Sequence, residues 1–261
     1  MIEIIRPQCC NQLVALALAL ALALVLGFIL TLLTPLLGHA QALPDVAIAI
    51  QKLNADLTQP AAVQYSAVTG LVRSMRFAEG DSLALPGILP TVNPANAALA
   101  FMADFGPAFG VADRDNIRVL ATADADAVGM SHVRLQQQYE GIPVSAGEVS
   151  IHLRGNQVVS VLADTLPDLD GFDTTPAITA VEALASARAL IEKYYAIIDA
   201  NYSTPSLVIF NRGLLTDRQS PTRLAWFIEA TRIDVRELIW IDAQQGGVLL
   251  NFSQLTDAKP A

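Results

Sequence analysis

Cysteine is almost absent. Cys9 and Cys10 are the only two in 261 residues, and both precede a long apolar run. The chain beyond that run can therefore hold no disulfide and no cysteine-based metal site, and thiol nucleophiles are excluded from it. Histidine is nearly as scarce, with His39, His132 and His152 as the whole complement. No His-Glu-x-x-His sequence is present to set two imidazoles one helical turn apart on zinc. A Gly-x-Ser-x-Gly elbow, a Walker loop and a dinucleotide glycine fingerprint are missing too. Basic residues are outnumbered, 16 Lys and Arg against 25 Asp and Glu, for a formal net charge of -9 and a pI near 4.7. Such a chain repels nucleic-acid phosphates and anionic membrane surfaces, which excludes both as partners except through an N-terminal helix. No spacing singles out two carboxylates for acid–base work, so no catalytic residue is assigned.

What is present begins with an apolar run from Leu13 to Leu33, interrupted only by Gly27 and Thr31 and preceded by Arg6. The run is long enough to span a bilayer as a helix. Pro35, Gly38 and Ala40-Gln41-Ala42 follow it with a helix breaker and a small-x-small cleavage pattern. Residues 1–42 are therefore expected to be a secretory signal cut after Ala42, with a retained membrane anchor as the alternative. The rest is expected to be secreted or extracellular, or anchored with its domains outside the cytoplasm. About 220 residues remain, enough for one or two domains with cores of their own.

The most legible stretch is Gly129 to Asp164. Val133, Leu135, Gln137 and Tyr139 alternate with His132, Arg134, Gln136 and Gln138, the period of a strand with one buried face. Glu140-Gly141 breaks the run, Val144, Val149, Ile151 and Leu153 mark a second strand, and Val158 to Leu162 follows a Gly155-Asn156 turn. The pattern predicts a three-stranded antiparallel meander. Upstream, Pro44 to Leu57 has helical spacing and Gln64 to Phe77 reads as one or two strands. Asn93-Pro94 opens a helix whose Phe101, Phe105 and Phe109 form a core stripe, and Ile117 to Ala121 is a further short strand. Asp124, Asp126 and Gly129 could present oxygens to calcium, but no Glu closes the loop, and a surface turn is expected.

Downstream, Pro167 to Pro176 reads as a linker, and Thr179-Ala180-Val181-Glu182 has the capping-box form at the start of a helix running to Ile198. Strands are expected at Leu207 to Asn211, Arg223 to Thr231, Arg236 to Ala243 and Val248 to Phe252. The expected fold is α+β: two small antiparallel-sheet-plus-helix domains, residues 43–166 and 167–261, after the N-terminal signal or transmembrane helix.

Gly129, His132, Arg134, Gln137, Tyr139, Gly141, Pro143-Val144, Gly147-Glu148, His152 and Gly155 together resemble the core signature of the fungalysin/thermolysin propeptide domain. Thr69-Gly70-Leu71-Val72-Arg73 fits a Thr-Gly segment that this family carries upstream. The second half resembles the PepSY module, which follows that domain in thermolysin-like precursors. Its entry helix is matched by Pro176-Ala177-Ile178 and Val181 to Ala185, and its strands by Leu224 to Ile228 and Trp240 to Ala243. Gln245-Gly246 stands where the module usually has Thr-Gly. Together the two resemblances cover most of Tyr65 to Phe252.

The resemblance implies the prosequence part of a secreted thermolysin-like zinc metallopeptidase, a folding assistant and inhibitor of a catalytic domain absent from this chain. That domain would be met in cis or in trans. It implies no cofactor on this chain, zinc being expected only in the partner. A stand-alone exported binding module of the cell envelope and a fragment of a full-length metalloendopeptidase are the alternatives. The residues expected to contact the peptidase are His132 and Arg134 on the sheet, and Asn251, Phe252, Ser253 and Gln254 in a tail running to Ala261. Solvation of an exposed strand face is the other explanation for His132 and Arg134. A two-residue turn at Glu140-Gly141 pairs position 132 with position 149 and leaves His152 across the sheet, unless a bulge at Gly147 realigns them.

Overall fold

The computed structural model describes residues 43–55, 57–78, 81–85, 93–167 and 169–255. Pro44 at the first helical position starts α1 (Pro44–Asn54), which buries Val46, Ala49 and Leu53 along one stripe. β1 (Ala62–Tyr65) and β2 (Val72–Arg76) pair antiparallel across the Thr69-Gly70 turn. α2 (Pro94–Phe105) is capped by Asn93, whose side chain accepts the Ala95 amide at 2.8 Å. β3 (Ile117–Ala123), β4 (Met130–Tyr139), β5 (Ile142–Arg154) and β6 (Gln157–Asp164) then build the antiparallel meander that the alternation predicts, extended by one strand on its open side.

α3 (Ala180–Tyr195) opens with the reciprocal capping box. The Glu182 amide donates to Thr179 Oγ1 at 3.3 Å, and the Thr179 amide donates to Glu182 Oε2 at 2.7 Å. β7 (Asn201–Tyr202), β8 (Ser206–Phe210), the single turn α4 (Gly213–Thr216), β9 (Arg223–Arg232), β10 (Val235–Asp242) and β11 (Val248–Ser253) complete the fold. β7 and α4 are too short for a periodicity to mark, and the sequence did not predict them.

The class is α+β, but the strands do not form two unconnected sheets. Among the described residues eleven strands join one mixed sheet in the order β1-β2-β6-β5-β8-β9-β10-β11, with β4 and β3 branching from β5 and β7 pairing with β9. β5 pairs antiparallel with β4 and β6, and Val144 at its start bridges in parallel to Ile209 of β8. Apolar side chains drive this joint: Val144, Leu166 and Ile209 are buried together, with Tyr139, Ile142 and Phe172 packed around them.

One face of the first half of the sheet is covered by α2 and α1. Phe101 and Phe109 are fully buried with Val133, Leu135, Val149 and Ile151, and each Phe contributes about 1.5–3 kcal/mol by that burial. In the second half, α3 lays Ala183, Ala187 and Ile191 on Ile228, Ile239 and Ile241. The opposite face there carries an aromatic stack, with Trp240 against Phe210, Phe227 and Phe252 at centroid distances of 5.4, 5.1 and 5.7 Å. The apolar run at Leu13 to Leu33, the expected cleavage residues Ala40 and Ala42, and the tail beyond Leu255 lie outside the described residues. Among the described residues no helix is long and apolar enough to cross a membrane.

Candidate functional site

The hairpin forms at Glu140-Gly141 as expected. Both residues have positive φ, 50° and 78°, the conformation that suits a two-residue turn to the twist of its strands. Tyr139 faces Ile142 and Gln138 faces Pro143, but the ladder then breaks and resumes at Gln136 opposite Glu148. Val144 to Gly147 bulge out against Gln137, and the register beyond them shifts so that His132 faces His152 instead of Val149.

The bulge has identifiable causes. Ala146 turns through φ 62°, and a Cβ at Gly147 would lie 2.6 Å from the Val144 side chain. Gln136 fills the gap, its Nε2 donating to Val144 O at 2.7 Å and Gly147 O at 2.8 Å. Its alternation places Gln136 on the polar face, and the bulge buries it instead, because the looped backbone needs a donor.

The result is a cross-strand imidazole pair on the face away from α2. His132 Nδ1 and His152 Nδ1 are 2.6 Å apart, with ring planes at 77°. His132 Nε2 is 3.2 Å from Asp126 Oδ2. The other oxygen of Asp126 accepts the amides of Val128 and Met130 at 2.9 Å each. The Met130 amide foremost, then that of Val128 and the His132 ring, holds the Asp126 carboxyl below its ordinary range. Burial, then the charge of His132, pulls the His152 imidazole below its ordinary value. With a carboxylate on Nε2, a neutral His132 keeps its proton there and offers the Nδ1 lone pair, so His152 donates from its own Nδ1. The sequence marked Asp126 only as a weak calcium candidate. Its role beside His132 was legible only from the turn it closes.

Arg134 lies one residue-pair along the same face and forks onto Glu148, with Nε to Oε2 at 3.1 Å and NH2 to Oε1 at 3.0 Å. Both partners are substantially exposed, so the pair contributes about 0–1 kcal/mol and orders the surface more than it stabilises it. Leu162, 53% exposed, sits in the same open face opposite Ser150 and Ser74. The other predicted contact residues lie elsewhere. Asn251, Phe252 and Ser253 belong to the outer strand β11, and the Gln254 amide still donates to Arg236 O at 2.8 Å, so this stretch is sheet and not a detached tail.

Asn251 Nδ2 donates to Glu237 Oε2 at 3.1 Å. Glu237 is buried and also accepts the Tyr195 hydroxyl at 2.6 Å. Burial, then this bond, pushes the Tyr195 phenol up to about 12. Phe252 stacks on Trp240, on the opposite face of the strand. Ser253 Oγ accepts the Leu255 amide at 3.2 Å. The six predicted residues therefore form two groups, His132 with Arg134 and the β11 set, and the sheet does not bring them together.

A cleft of about 670 Å3 opens where β4 ends, with Asp45, Asp113, Asp115, Glu140 and Asp170 around its mouth and no Lys or Arg among the described residues lining it. No group of three or more His, Cys, Asp or Glu side chains among the described residues is arranged to hold a metal ion.

The Fungalysin/Thermolysin Propeptide Motif matches residues 120–164. That span runs from within β3 to the last residue of β6 and contains the bulge and the histidine pair. No curated protein matches the chain. Among solved structures, the Bacillus megaterium YpeB C-terminal domain is similar at a TM-score of 0.38 and 14% sequence identity, covering 83% of this chain and 99% of that one.

Proposed function

We propose that the chain is the propeptide portion of an exported thermolysin-like zinc metallopeptidase, and that it assists the folding of the peptidase domain and inhibits it until the two are separated. The observation that carries this reading is the match of the propeptide motif to residues 120–164, the strands that build the open sheet face. On this reading residues 43–166 form the propeptide domain, residues 167–261 form a PepSY-like module, and residues 1–42 direct export. The peptidase supplies the zinc, and this chain supplies a docking surface.

Two surfaces support docking. The face of β4–β6 is polar, with Leu162 exposed at its middle and Arg134 held in a fixed fork beside it. The aromatic face of the second half ends in Phe252, 41% exposed at the outer strand. An exposed apolar side chain surrounded by ordered polar groups is the composition of an interface centre and its rim.

The test adds the full chain to several thermolysin-like peptidases and follows cleavage of a peptide substrate, alongside the yield of active enzyme on refolding. Inhibition in the nanomolar to micromolar range is expected, weakened tenfold or more by Leu162→Glu. Indifference of every peptidase tested, in both assays, overturns the reading and favours a stand-alone envelope-binding module.

A further inference from the structure

We propose that His132 and His152 form a surface chelate for a divalent transition metal ion of the zinc, nickel or copper class, held between their two Nδ1 atoms, with Asp126 as the carboxylate behind His132. This site does not depend on the peptidase reading.

Geometry is the first argument. The two Nδ1 atoms converge at 2.6 Å. Two nitrogens bonded to one tetrahedral zinc at about 2.0–2.1 Å lie about 3.3 Å apart, so the rings need to separate by only about 0.7 Å to admit the ion. The register row leaves space for that movement and for water ligands. His132 is flanked on β3 by Ala123 and His152 on β6 by Ser160, both small.

The second argument is the carboxylate. A metal-bound histidine commonly donates its other ring N–H to a carboxylate, which fixes the tautomer and raises ligand basicity. Asp126 Oδ2, 3.2 Å from His132 Nε2, already stands in that place, anchored by two backbone amides to its other oxygen. Three basic side chains share this face: Arg134, Arg154 and Arg76, the last beyond Ser160 in the pair's own row. Arg134 is engaged by Glu148, and Arg154 faces Met130 in the next row. Two imidazoles with water completing the shell select the late first-row ions over magnesium and calcium.

Coordination uses the Nδ1 lone pair of both rings. The proton shared between them moves to His152 Nε2 when the pair is neutral, or leaves to solvent when the pair is charged, so affinity rises with pH across the imidazole range.

The experiment titrates NiCl2 and ZnCl2 into the full chain, stripped with EDTA and carrying no added histidines, by calorimetry and thermal melting. One-to-one saturable binding is expected, and metal at about 100 times its Kd should raise Tm by about 5–10 °C. His152→Ala should abolish binding. Asp126→Asn keeps an oxygen for the two amides and should lower affinity about tenfold or more. MgCl2 should have no effect. Nitrogen-15 spectra of the wild-type imidazoles should show both rings shifting together, a readout that needs no variant to fold. Absence of heat and of a Tm shift at millimolar nickel or zinc overturns the proposal, as does one-to-one binding that survives in the His132→Ala, His152→Ala double variant.

Discussion

Replacing Gln137 by leucine tests how the end of β4 is fastened to the chain that leaves β6. Gln137 is 2% exposed, and its amide pairs reciprocally with the backbone of buried Leu166: Nε2 donates to Leu166 O at 2.8 Å, and Oε1 accepts the Leu166 amide at 2.8 Å. Leucine has nearly the volume of glutamine, so the substitution leaves little cavity, but it strands a buried N–H and a buried C=O. Each stranded group costs about 1–3 kcal/mol, and apolar burial by the new side chain offsets part of the sum, for a net loss of about 2–4 kcal/mol. Urea denaturation reads this as a lower midpoint at unchanged slope, and thermal melting as a drop of about 4–16 °C. Gln137→Glu supplies the control. At neutral pH it keeps an acceptor for the Leu166 amide but sets a carboxylate oxygen against Leu166 O. Its defect should ease on acidification, when the protonated carboxyl can donate. A loss below about 0.5 kcal/mol for Gln137→Leu would refute the assignment of this pair as a structural tie.

Two further outcomes follow from the bulge and the pair it aligns. Gly147→Ala would put a Cβ 2.6 Å from the Val144 side chain, which should cost about 1–3 kcal/mol and loosen the contact between the two imidazoles. Unchanged stability together with an unchanged His152 titration would show that the bulge does not set the register. The second outcome is a pH dependence. His152 has a folded value below the ordinary 6.5, so the unfolded chain takes up more protons as pH falls through 6.5, and stability declines in that window and is restored above it. His152→Gln should flatten the slope between pH 5 and 7 in urea midpoints. A slope that persists in that variant assigns the effect to another group.

Elements with a strong local signal were legible in the sequence. Asn93-Pro94 and Thr179 to Glu182 placed two helix starts because a cap is a matter of adjacent residues. The period of two in Val133 to Tyr139 placed β4 because one face is packed under Phe101 and Phe109. What failed was what depends on partners far along the chain. A plain count back from the turn pairs His132 with Val149; the alternative, a bulge at Gly147, is the one that forms, and the Gln136 amide that sustains it from eight and eleven residues away is not marked by any local pattern. The strand at Val248 to Phe252 was legible, but not that the Asn251 side chain satisfies Glu237, a carboxylate whose burial no local pattern announces. The joint of β5 with β8 was invisible for the same reason, since Val144 and Ile209 are ordinary strand residues until the fold sets them side by side.

Because β5 supplies a rung to both halves, the second half meets the first along a strand that is made early in synthesis. Every ladder partner of β1 to β6 within the first half precedes residue 165, so on the ribosome that half can close before Ile209 has been polymerised. β8 then meets an edge already in place at Val144, as a wall is added to a standing corner. Vectorial translation, N-terminal part first, thus suits the order in which the hydrogen bonds become available. A circular permutant beginning near residue 170 would have to fold its second half with that edge still missing.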